Sequence, residues 1–221
     1  MAFLTAEQVE YEYKNRYQTV HALRGVDAAF EQGSLYAIVG SSGSGKTTLL
    51  SLLAGLALPT AGSICFEGIS TAQMDRDAWR LANVSVIYQS YNLFAHLTVL
   101  ENAAYPLYAR GKKKKAAEAA AAEKLRLVGL QPEQFWRYPA MLSGGEQQRV
   151  AIARALTAES RLILADEPTG NLDEANSRMV FAILQRLAHE EHCCVIIVTH
   201  DLEQAALTDS VLHLRGGRMT D

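Results

Sequence analysis

A glycine-rich stretch near the start of the chain carries the residue types that bind phosphate. Residues 40–48 read GSSGSGKTT and follow the pattern G-x-x-x-x-G-K-[ST]. In this pattern the glycines let backbone N–H groups surround phosphate oxygens, the lysine adds a positive charge, and the hydroxyl after it can bind Mg²⁺. The residues predicted to form this loop are Gly40, Ser41, Ser42, Gly43, Ser44, Gly45, Lys46, Thr47 and Thr48. A glycine–serine turn is the alternative, and the Lys–Thr pair between a strand and a helix argues against it.

Two adjacent carboxylates follow a buried apolar run further along the chain. The run is LILADEP at 162–168, in which Asp166 and Glu167 come after the last apolar residue. A phosphate-binding loop of this kind works with a carboxylate that holds Mg²⁺, and we assign that role to Asp166. Glu167 is then placed to take a proton from an attacking water; a merely solvated acid is the alternative. The pair predicts hydrolysis of a metal-bound triphosphate by in-line attack, stabilised mainly by electrostatics.

A second stretch, AMLSGGEQQRVAIARAL at 140–156, has a helix start that resembles an anion site. Ser143 and Glu146 are spaced as a capping box, which needs no ligand. Gly144 and Gly145 are poor helix formers, and two glycines in a first turn indicate a close approach to the backbone. Bare N–H groups and the helix dipole favour an anion at that place.

The composition fits one soluble globular domain. The chain has 221 residues, of which 49% are hydrophobic and 20% charged, and its net charge is −3. An acidic balance argues against a nucleic-acid partner. The longest apolar run, at 49–59, is far shorter than the ~20 residues that cross a bilayer, and we find no signal peptide.

The cysteine count favours a reducing compartment. Cys65, Cys193 and Cys194 are an odd number and lie in apolar, strand-like contexts. We therefore expect buried, reduced thiols in the cytoplasm; a redox switch at the vicinal pair is the alternative.

Strand-like and helical segments alternate along the chain, which predicts an α/β fold with ligands at the carboxyl ends of the strands. Several of the runs are continuously apolar, as in a parallel sheet buried on both faces. The strand-like runs lie at 34–40, 63–68, 84–89, 161–166, 194–199 and 211–215. In the earliest segment, which includes VEYEYK and VDAAF, apolar and polar residues alternate with period two. This pattern predicts a small antiparallel piece on the edge of the fold.

Residues 90–138 contain no strand-like run and consist mostly of helix formers. Thr98 and Glu101 have the spacing of a capping box, and a second helix should stop near Gly129. We interpret 90–138 as a helical subdomain inserted into an α/β core made of 1–89 and 139–221, all within one domain.

The combination of motifs resembles the ATP-binding cassette (ABC) ATPase family over essentially the whole chain. LSGGE is the signature of that family, and it lies here between the phosphate loop, Walker A, and the LILADEP run, Walker B. The resemblance implies a P-loop NTPase (RecA-like) core with a small antiparallel β subdomain, and ATP and Mg²⁺ as ligands.

The resemblance also assigns roles to residues outside these motifs. Gln89 falls at the Q-loop glutamine that contacts Mg²⁺, and His200 at the switch histidine that contacts the γ-phosphate. The D-loop, which crosses the dimer interface, matches 171–173 (Asn-Leu-Asp); Asp173 could also be a helix N-cap. Tyr13 is the candidate for stacking on adenine. The nearby alternatives are Tyr11 and Tyr17. With Glu167 and Lys46, the residues Gln89 and His200 complete the predicted catalytic set.

Members of this family join head to tail as dimers, so the resemblance implies a second copy of the chain as a partner. Each ATP then lies between the phosphate loop of one copy and Ser143, Gly144 and Gly145 of the other. A separately encoded membrane protein is the other implied partner, with the chain peripheral on the cytoplasmic face of the membrane. The region after Gln89 should form the groove for that partner. Plausible contacts there are Tyr91, Leu93 and Phe94, whose alternative is ordinary core packing.

Within the family, the chain looks most like the cassettes of lipoprotein-release, macrolide-efflux and cell-division (FtsE-type) systems. The phrase DEPTGNLD and the segment YQSYNLFAHLTVLENAAYPL carry this likeness. It implies a membrane partner with four spans and a large external domain, through which the chain drives export or mechanotransmission. A soluble cassette for DNA repair or translation is one rival interpretation, disfavoured because the interval from Gln89 to Ser143 is too short for a long coiled coil. A cell-division signalling role is the other.

Overall fold

Two β-sheets and seven α-helices organise the part of the chain that the structure describes. The structure is a computed structural model, and it describes residues 2–170 and 172–220. The strands are β1 (Leu4–Lys14), β2 (Thr19–Phe30), β3 (Leu35–Val39), β4 (Ala61–Phe66), β5 (Ile69–Ser70), β6 (Val84–Ile87), β7 (Leu162–Asp166), β8 (Cys194–Thr199), β9 (Ser210–Arg215) and β10 (Arg218–Thr220). The helices are α1 (Lys46–Leu53), α2 (Arg76–Asn83), α3 (Val99–Ala109), α4 (Lys114–Leu127), α5 (Gly144–Thr157), α6 (Glu174–His189) and α7 (Leu202–Ala205).

The central sheet has the order β10-β9-β3-β8-β7-β6, and its strands are parallel except for β10. Its inner strands are buried on both faces. Ile163 and Ala165 of β7 enter the core beneath α3 to α6, whereas Leu162 and Leu164 enter the core beneath α1 and the other sheet. Burial on both faces explains why these strands are continuously apolar in sequence, and the predicted α/β fold is confirmed.

The second sheet is antiparallel, with the order β2-β1-β4-β5. The antiparallel piece predicted from the first thirty residues is therefore a separate sheet packed over α1, not the edge of the central one. The strand-like run at 63–68 overlaps β4, which pairs with β1 in this antiparallel sheet and so does not belong to the parallel one. Along β4 buried Ile64 and Phe66 alternate with partly exposed Ser63 and Cys65, which is the pattern of a strand with one buried face.

The segment 90–138 contains helices α3 and α4 and no strand, and α5 packs against both helices. The Thr98 hydroxyl accepts a hydrogen bond from the Glu101 N–H, and the Glu101 carboxylate accepts one from the Thr98 N–H, which confirms the predicted capping box. Helix α4 ends just before Gly129, whose φ of +78° is the left-handed conformation expected after a helix.

The vicinal cysteines lie in the interior. Cys193 and Cys194 are buried free thiols, whereas Cys65 is half-buried. Burial raises the pKa of Cys193 to about 11 and that of Cys194 to about 12. Because the thiolate is the reactive form, this environment disfavours a redox role for the pair.

Asn102 of α3 fastens the loop that precedes this helix. Its side chain is completely buried. The amide nitrogen donates to the carbonyl oxygens of Phe94 (3.1 Å), Leu97 (2.9 Å) and Thr98 (3.0 Å). The amide oxygen accepts a hydrogen bond of 2.8 Å from the Phe94 N–H. One side chain thus joins three backbone carbonyls and one backbone N–H of the loop to α3.

Replacing this residue tests how much the loop depends on it. Asn102→Ala should lower the free energy of unfolding by about 1–3 kcal/mol, because the loop loses four hydrogen bonds to a completely buried side chain. Asn83→Ala is the control, since Asn83 makes one hydrogen bond to the Trp79 carbonyl, and it should cost about 1 kcal/mol or less. Urea unfolding followed by circular dichroism measures both. Equal losses in the two variants would contradict the special role of Asn102.

Candidate functional site

The loop between β3 and α1 is shaped by close backbone contacts. A Cβ on Gly40 would lie 2.3 Å from the Leu214 carbonyl oxygen and 2.6 Å from the Ser44 hydroxyl, so no larger residue fits there. Gly45, the N-cap of α1, has a φ of +106°, which strongly favours glycine. The sequence pattern therefore reflects real steric limits on this turn.

Lys46 and Ser44 give the loop the polarity of an anion site. Lys46 is almost completely buried, and its Nζ donates to the carbonyl oxygens of Gly40 (2.7 Å) and Ser41 (3.1 Å). The Ser44 hydroxyl is also buried, and it has no hydrogen-bond partner among the described residues. A buried cation at a helix N-terminus beside an unpaired hydroxyl fits a phosphate group.

Thr47 and Asp166 meet beside this loop. The Thr47 hydroxyl donates to Oδ2 of Asp166 over 3.1 Å. Burial raises the pKa of the Asp166 carboxyl, while the hydrogen bond from Thr47 works in the opposite direction; the charge of Glu167 raises it and that of Lys46 lowers it.

This pair of oxygen ligands suits one kind of metal. Within the described residues no group of three or more His, Cys, Asp or Glu side chains could hold a metal ion. Mg²⁺ needs no such cage, because it binds through one or two carboxylates and completes its shell with phosphate oxygens and water. The residues present therefore fit Mg²⁺ bound together with a phosphate ligand.

Glu167 is held in a strained and well-defined position. Its φ is +46°, a left-handed conformation that is uncommon outside glycine, and its N–H donates to the Val198 carbonyl at 2.9 Å. Its carboxylate accepts a hydrogen bond from the Thr199 hydroxyl (3.1 Å) and pairs with Nδ1 of His200 (2.8 Å). Sequence reasoning had missed Thr199, although a hydroxyl residue that ends β8 just before a candidate histidine was a usable signal.

These groups line one cleft of about 730 Å³. The predicted site residues that line it are Tyr13, Ser42, Gly43, Ser44, Gly45, Lys46, Thr47, Thr48, Gln89, Asp166, Glu167 and His200. Gly40 and Ser41 contribute through their carbonyls to Lys46. Three lining residues were not predicted: Val20, His21 and Ala22. They come from β2, where Val20 pairs with Tyr13, and antiparallel pairing across this short hairpin was the signal for them.

Tyr13 is the aromatic residue that borders this cleft. Its side chain is 52% exposed, and its hydroxyl lies 3.1 Å from that of Thr48. The edge of its ring packs against Tyr11, with centroids 5.0 Å apart. Of the three tyrosines that the sequence left open, Tyr11 is half-buried against the core and Tyr17 is 89% exposed, and neither lines the cleft. Of the three tyrosines, Tyr13 is therefore the one whose side chain borders the cleft.

The second glycine-rich stretch lies outside the cleft. Ser143 caps α5: its hydroxyl accepts from the Glu146 N–H (3.3 Å), and the Glu146 carboxylate accepts from the Ser143 N–H (2.7 Å). This backbone hydrogen bond lowers the pKa of Glu146. Gly144 and Gly145, in the first turn, are partly exposed. None of these residues lines the cleft, so the start of α5 lies on a different surface of the chain.

Asp173 likewise lies outside the cleft. It caps α6, because its carboxylate accepts a hydrogen bond of 2.8 Å from the Asn176 N–H. Hydrogen bonds from Asn176 lower the pKa of this carboxyl. Residue 171, the asparagine of the predicted D-loop, lies outside the described residues.

Known proteins resemble the chain along its whole length. The sequence profile of the family described as "ABC transporter" matches residues 23–170. The chain is 41% identical to the uncharacterized ABC transporter ATP-binding protein YclH of Bacillus subtilis, over 100% of this chain and 96% of that protein. It is 44% identical to the lipoprotein-releasing system ATP-binding protein LolD of Alcanivorax borkumensis, over 97% and 95% of the two chains. A dimeric structure of the ATP-binding cassette MJ0796, in a post-hydrolysis state with ADP and Pi, matches with a TM-score of 0.93 at 32% identity, over 99% and 97% of the two chains.

The contact between Thr47 and Asp166 predicts a titration difference. Thr47→Val should raise the pKa of Asp166, because it removes a hydrogen bond that stabilises the charged carboxylate and leaves the burial unchanged. Carbon-13 NMR titration of the Asp166 carboxyl measures the change. Thr48→Val is the control, since the Thr48 hydroxyl contacts Tyr13 and no carboxylate. A pKa that is lower in Thr47→Val, or equal in the two variants, would contradict the assignment.

Proposed function

We propose that this chain, which belongs to the ABC transporter family, is the ATP-hydrolysing subunit of a bacterial membrane complex. The observation that carries the proposal is the cleft in which Lys46, Thr47, Asp166, Glu167 and His200 converge. The lysine and the hydroxyls fit a polyphosphate, and the carboxylates fit its metal and its attacking water. Hydrolysis of ATP to ADP and phosphate uses all of these groups.

ATP binds in the cleft through separate contacts to its base and its phosphates. The exposed face of Tyr13 stacks on adenine. The phosphates replace the loop carbonyls as partners of Lys46 Nζ and occupy the turn at Ser44. Thr47, Asp166 and Gln89 are the lining residues that would hold Mg²⁺, and the metal would offset the charge of the phosphates.

Glu167 acts as the general base. A water oxygen forms a bond to the γ-phosphorus while the bond to the β–γ bridging oxygen breaks, and the carboxylate receives the proton of that water. Thr199 and His200 hold the carboxylate by a hydrogen bond each, so the base is oriented before the substrate arrives. His200 is also the residue placed to contact the γ-phosphate.

Two copies of the chain join head to tail around two ATP molecules. Ser143, Gly144 and Gly145 lie outside their own chain's cleft, and they cover the γ-phosphate in the cleft of the partner copy. The D-loop at Asp173 borders the same interface. The dimeric MJ0796 cassette, which shares the fold at a TM-score of 0.93, supports this arrangement.

A separately encoded membrane protein completes the complex. None of the described helices is long and apolar enough to cross a bilayer. The chain lies peripherally on the cytoplasmic face, where ATP-driven closure of the dimer moves the partner. The names of the LolD relatives support a role in lipoprotein release or a related export process. The partner that we propose has four spans and a large external domain, through which the chain drives export or mechanotransmission.

Glu167→Gln tests the base. Hydrolysis should fall by roughly 10²–10⁴-fold, the usual contribution of general base catalysis, because the amide cannot accept the proton. ATP binding should remain, so that an ATP-bound dimer accumulates. Phosphate release and size-exclusion chromatography measure the two effects. Glu123→Gln, at an exposed position of α4, is the control and should behave like the unmodified protein. Normal turnover in Glu167→Gln would overturn the assignment.

Ser143→Arg tests the contribution of the second copy. The large cation should block closure of the dimer over ATP and abolish turnover, while the isolated monomer still binds ATP. Equilibrium titration with a fluorescent ATP analogue measures monomer binding, and phosphate release measures turnover. Glu123→Arg adds the same group on α4 and should change neither. Loss of monomer binding in Ser143→Arg would show that this residue acts within its own chain.

A further inference from the structure

The turn that follows Gln89 has an unusual backbone. Tyr91 and Asn92 are consecutive non-glycine residues with φ values of +63° and +47°. A left-handed conformation is unfavourable for tyrosine, whereas asparagine adopts it more readily than most residues, although less readily than glycine. Two such residues in succession therefore require support from their surroundings. Within this turn the Asn92 N–H donates to the Ser90 carbonyl over 2.7 Å, a local contact that does not by itself explain the pair.

Arg154, on the third turn of α5, holds this backbone. Its Nη1 donates to the Asn92 carbonyl oxygen at 2.7 Å and its Nη2 to the Tyr91 carbonyl oxygen at 2.9 Å. The planar guanidinium thus binds two successive carbonyls at once, which fixes the direction of both peptide groups. Charge-assisted hydrogen bonds of this kind are stronger than neutral ones.

Arg154 occupies a position that is costly for a cation. Burial lowers its pKa, and among the described residues it forms no ion pair with a carboxylate. The side chain remains charged, because arginine starts from a very high pKa. Arg154 is partly buried, and a partly buried charge whose hydrogen-bond partners are backbone carbonyls is costly, which points to a role beyond packing.

The turn lies between two parts of the proposed site. Gln89, two residues before Tyr91, lines the nucleotide cleft of its own chain. The Tyr91 phenol reaches the other part, since a Cβ on Gly144 would lie 2.9 Å from the Tyr91 hydroxyl. Gly144 begins α5 at the surface that covers the partner's ATP. The turn held by Arg154 is therefore joined to the cleft through Gln89, and it contacts the start of α5 through the Tyr91 side chain.

We propose that Arg154 is a positioning residue that holds the Tyr91–Asn92 turn and so places Gln89 in the cleft and the Tyr91 phenol against Gly144. This proposal rests on the proposed function, since both places matter only if ATP is bound between two copies. The turn also begins the segment expected to contact the membrane protein. A membrane protein that displaces this turn therefore shifts both Gln89 in the cleft and the contact of Tyr91 with Gly144.

A suppressor experiment separates positioning from general stability. Arg154→Met keeps an unbranched apolar stem but removes both hydrogen bonds, and it should lower kcat for ATP hydrolysis at least tenfold. In the Glu167→Gln background it should also reduce the ATP-dependent dimer. Adding Asn92→Gly should restore most of both, because glycine adopts the left-handed conformation without help.

The control suppressor is Glu159→Gly. Glu159 also has a left-handed φ, of +51°, but it lies just beyond the end of α5 and has no hydrogen bond to Arg154. Glu159→Gly relieves the same type of backbone strain at a place that Arg154 does not hold, so it should not restore kcat. If Arg154→Met does not fold, Arg154→Lys carries the same test, because a single ammonium group cannot bind both carbonyls in the planar geometry of the guanidinium.

The outcomes are decisive. The proposal is overturned if the Arg154 variant keeps its kcat and its ATP-dependent dimer. It is also overturned if Asn92→Gly restores neither property, or if Glu159→Gly restores them equally well. These results leave the proposed function intact as long as the unmodified chain hydrolyses ATP. If the unmodified chain binds no ATP, the proposed function itself fails before the variants are compared.

Discussion

The register of β3, β8 and β7 is the constraint on which the rest of the structure depends. Val39, the last residue of β3, pairs with Thr199, the last residue of β8, and Asp166 at the end of β7 pairs with Val198. Because the strands are parallel and end together, the phosphate loop, the two carboxylates and His200 leave the sheet at one edge. A slip of one residue would exchange the two faces of a strand and separate these groups. Alternate residues of β7 enter different cores, so the packing penalises such a slip strongly.

Helix α5 connects this edge to the rest of the site. Its side chains reach three separate segments: Arg154 binds the turn after β6, Gln148 donates to the Pro168 carbonyl at 2.8 Å, and Arg149 donates to Asn176 near the start of α6. The glycines at its start allow close approach. Tyr91 lies against Gly144, and the Asn176 amide lies 3.5 Å from the place of a Cβ on Gly145. The first turn of α5 is thereby packed against the turn after β6 and against the start of α6.

The sequence could predict those features that depend on neighbouring residues. The phosphate loop, the capping boxes at Thr98 and Ser143 and the end of α4 before Gly129 all follow from local spacing and backbone preference, and the structure contains them. The alternation of strands and helices was enough for the fold class. The strand at 63–68 shows the limit of such reasoning, because a short apolar run does not reveal which sheet it joins. That choice depended on pairing with β1, almost sixty residues earlier in the chain.

The sequence by itself determined which chemistry the chain carries, since the identity and order of Lys46, Thr47, Asp166, Glu167 and His200 are local facts. Only the tertiary structure decided how these groups are held. Thr199 binds the carboxylate of Glu167, 32 residues earlier in the chain, and nothing local marks Arg154 as the partner of a turn more than sixty residues away. Hydrogen bonds between distant segments arise from the register of the sheet and the packing of α5, and no short stretch of residues contains that information.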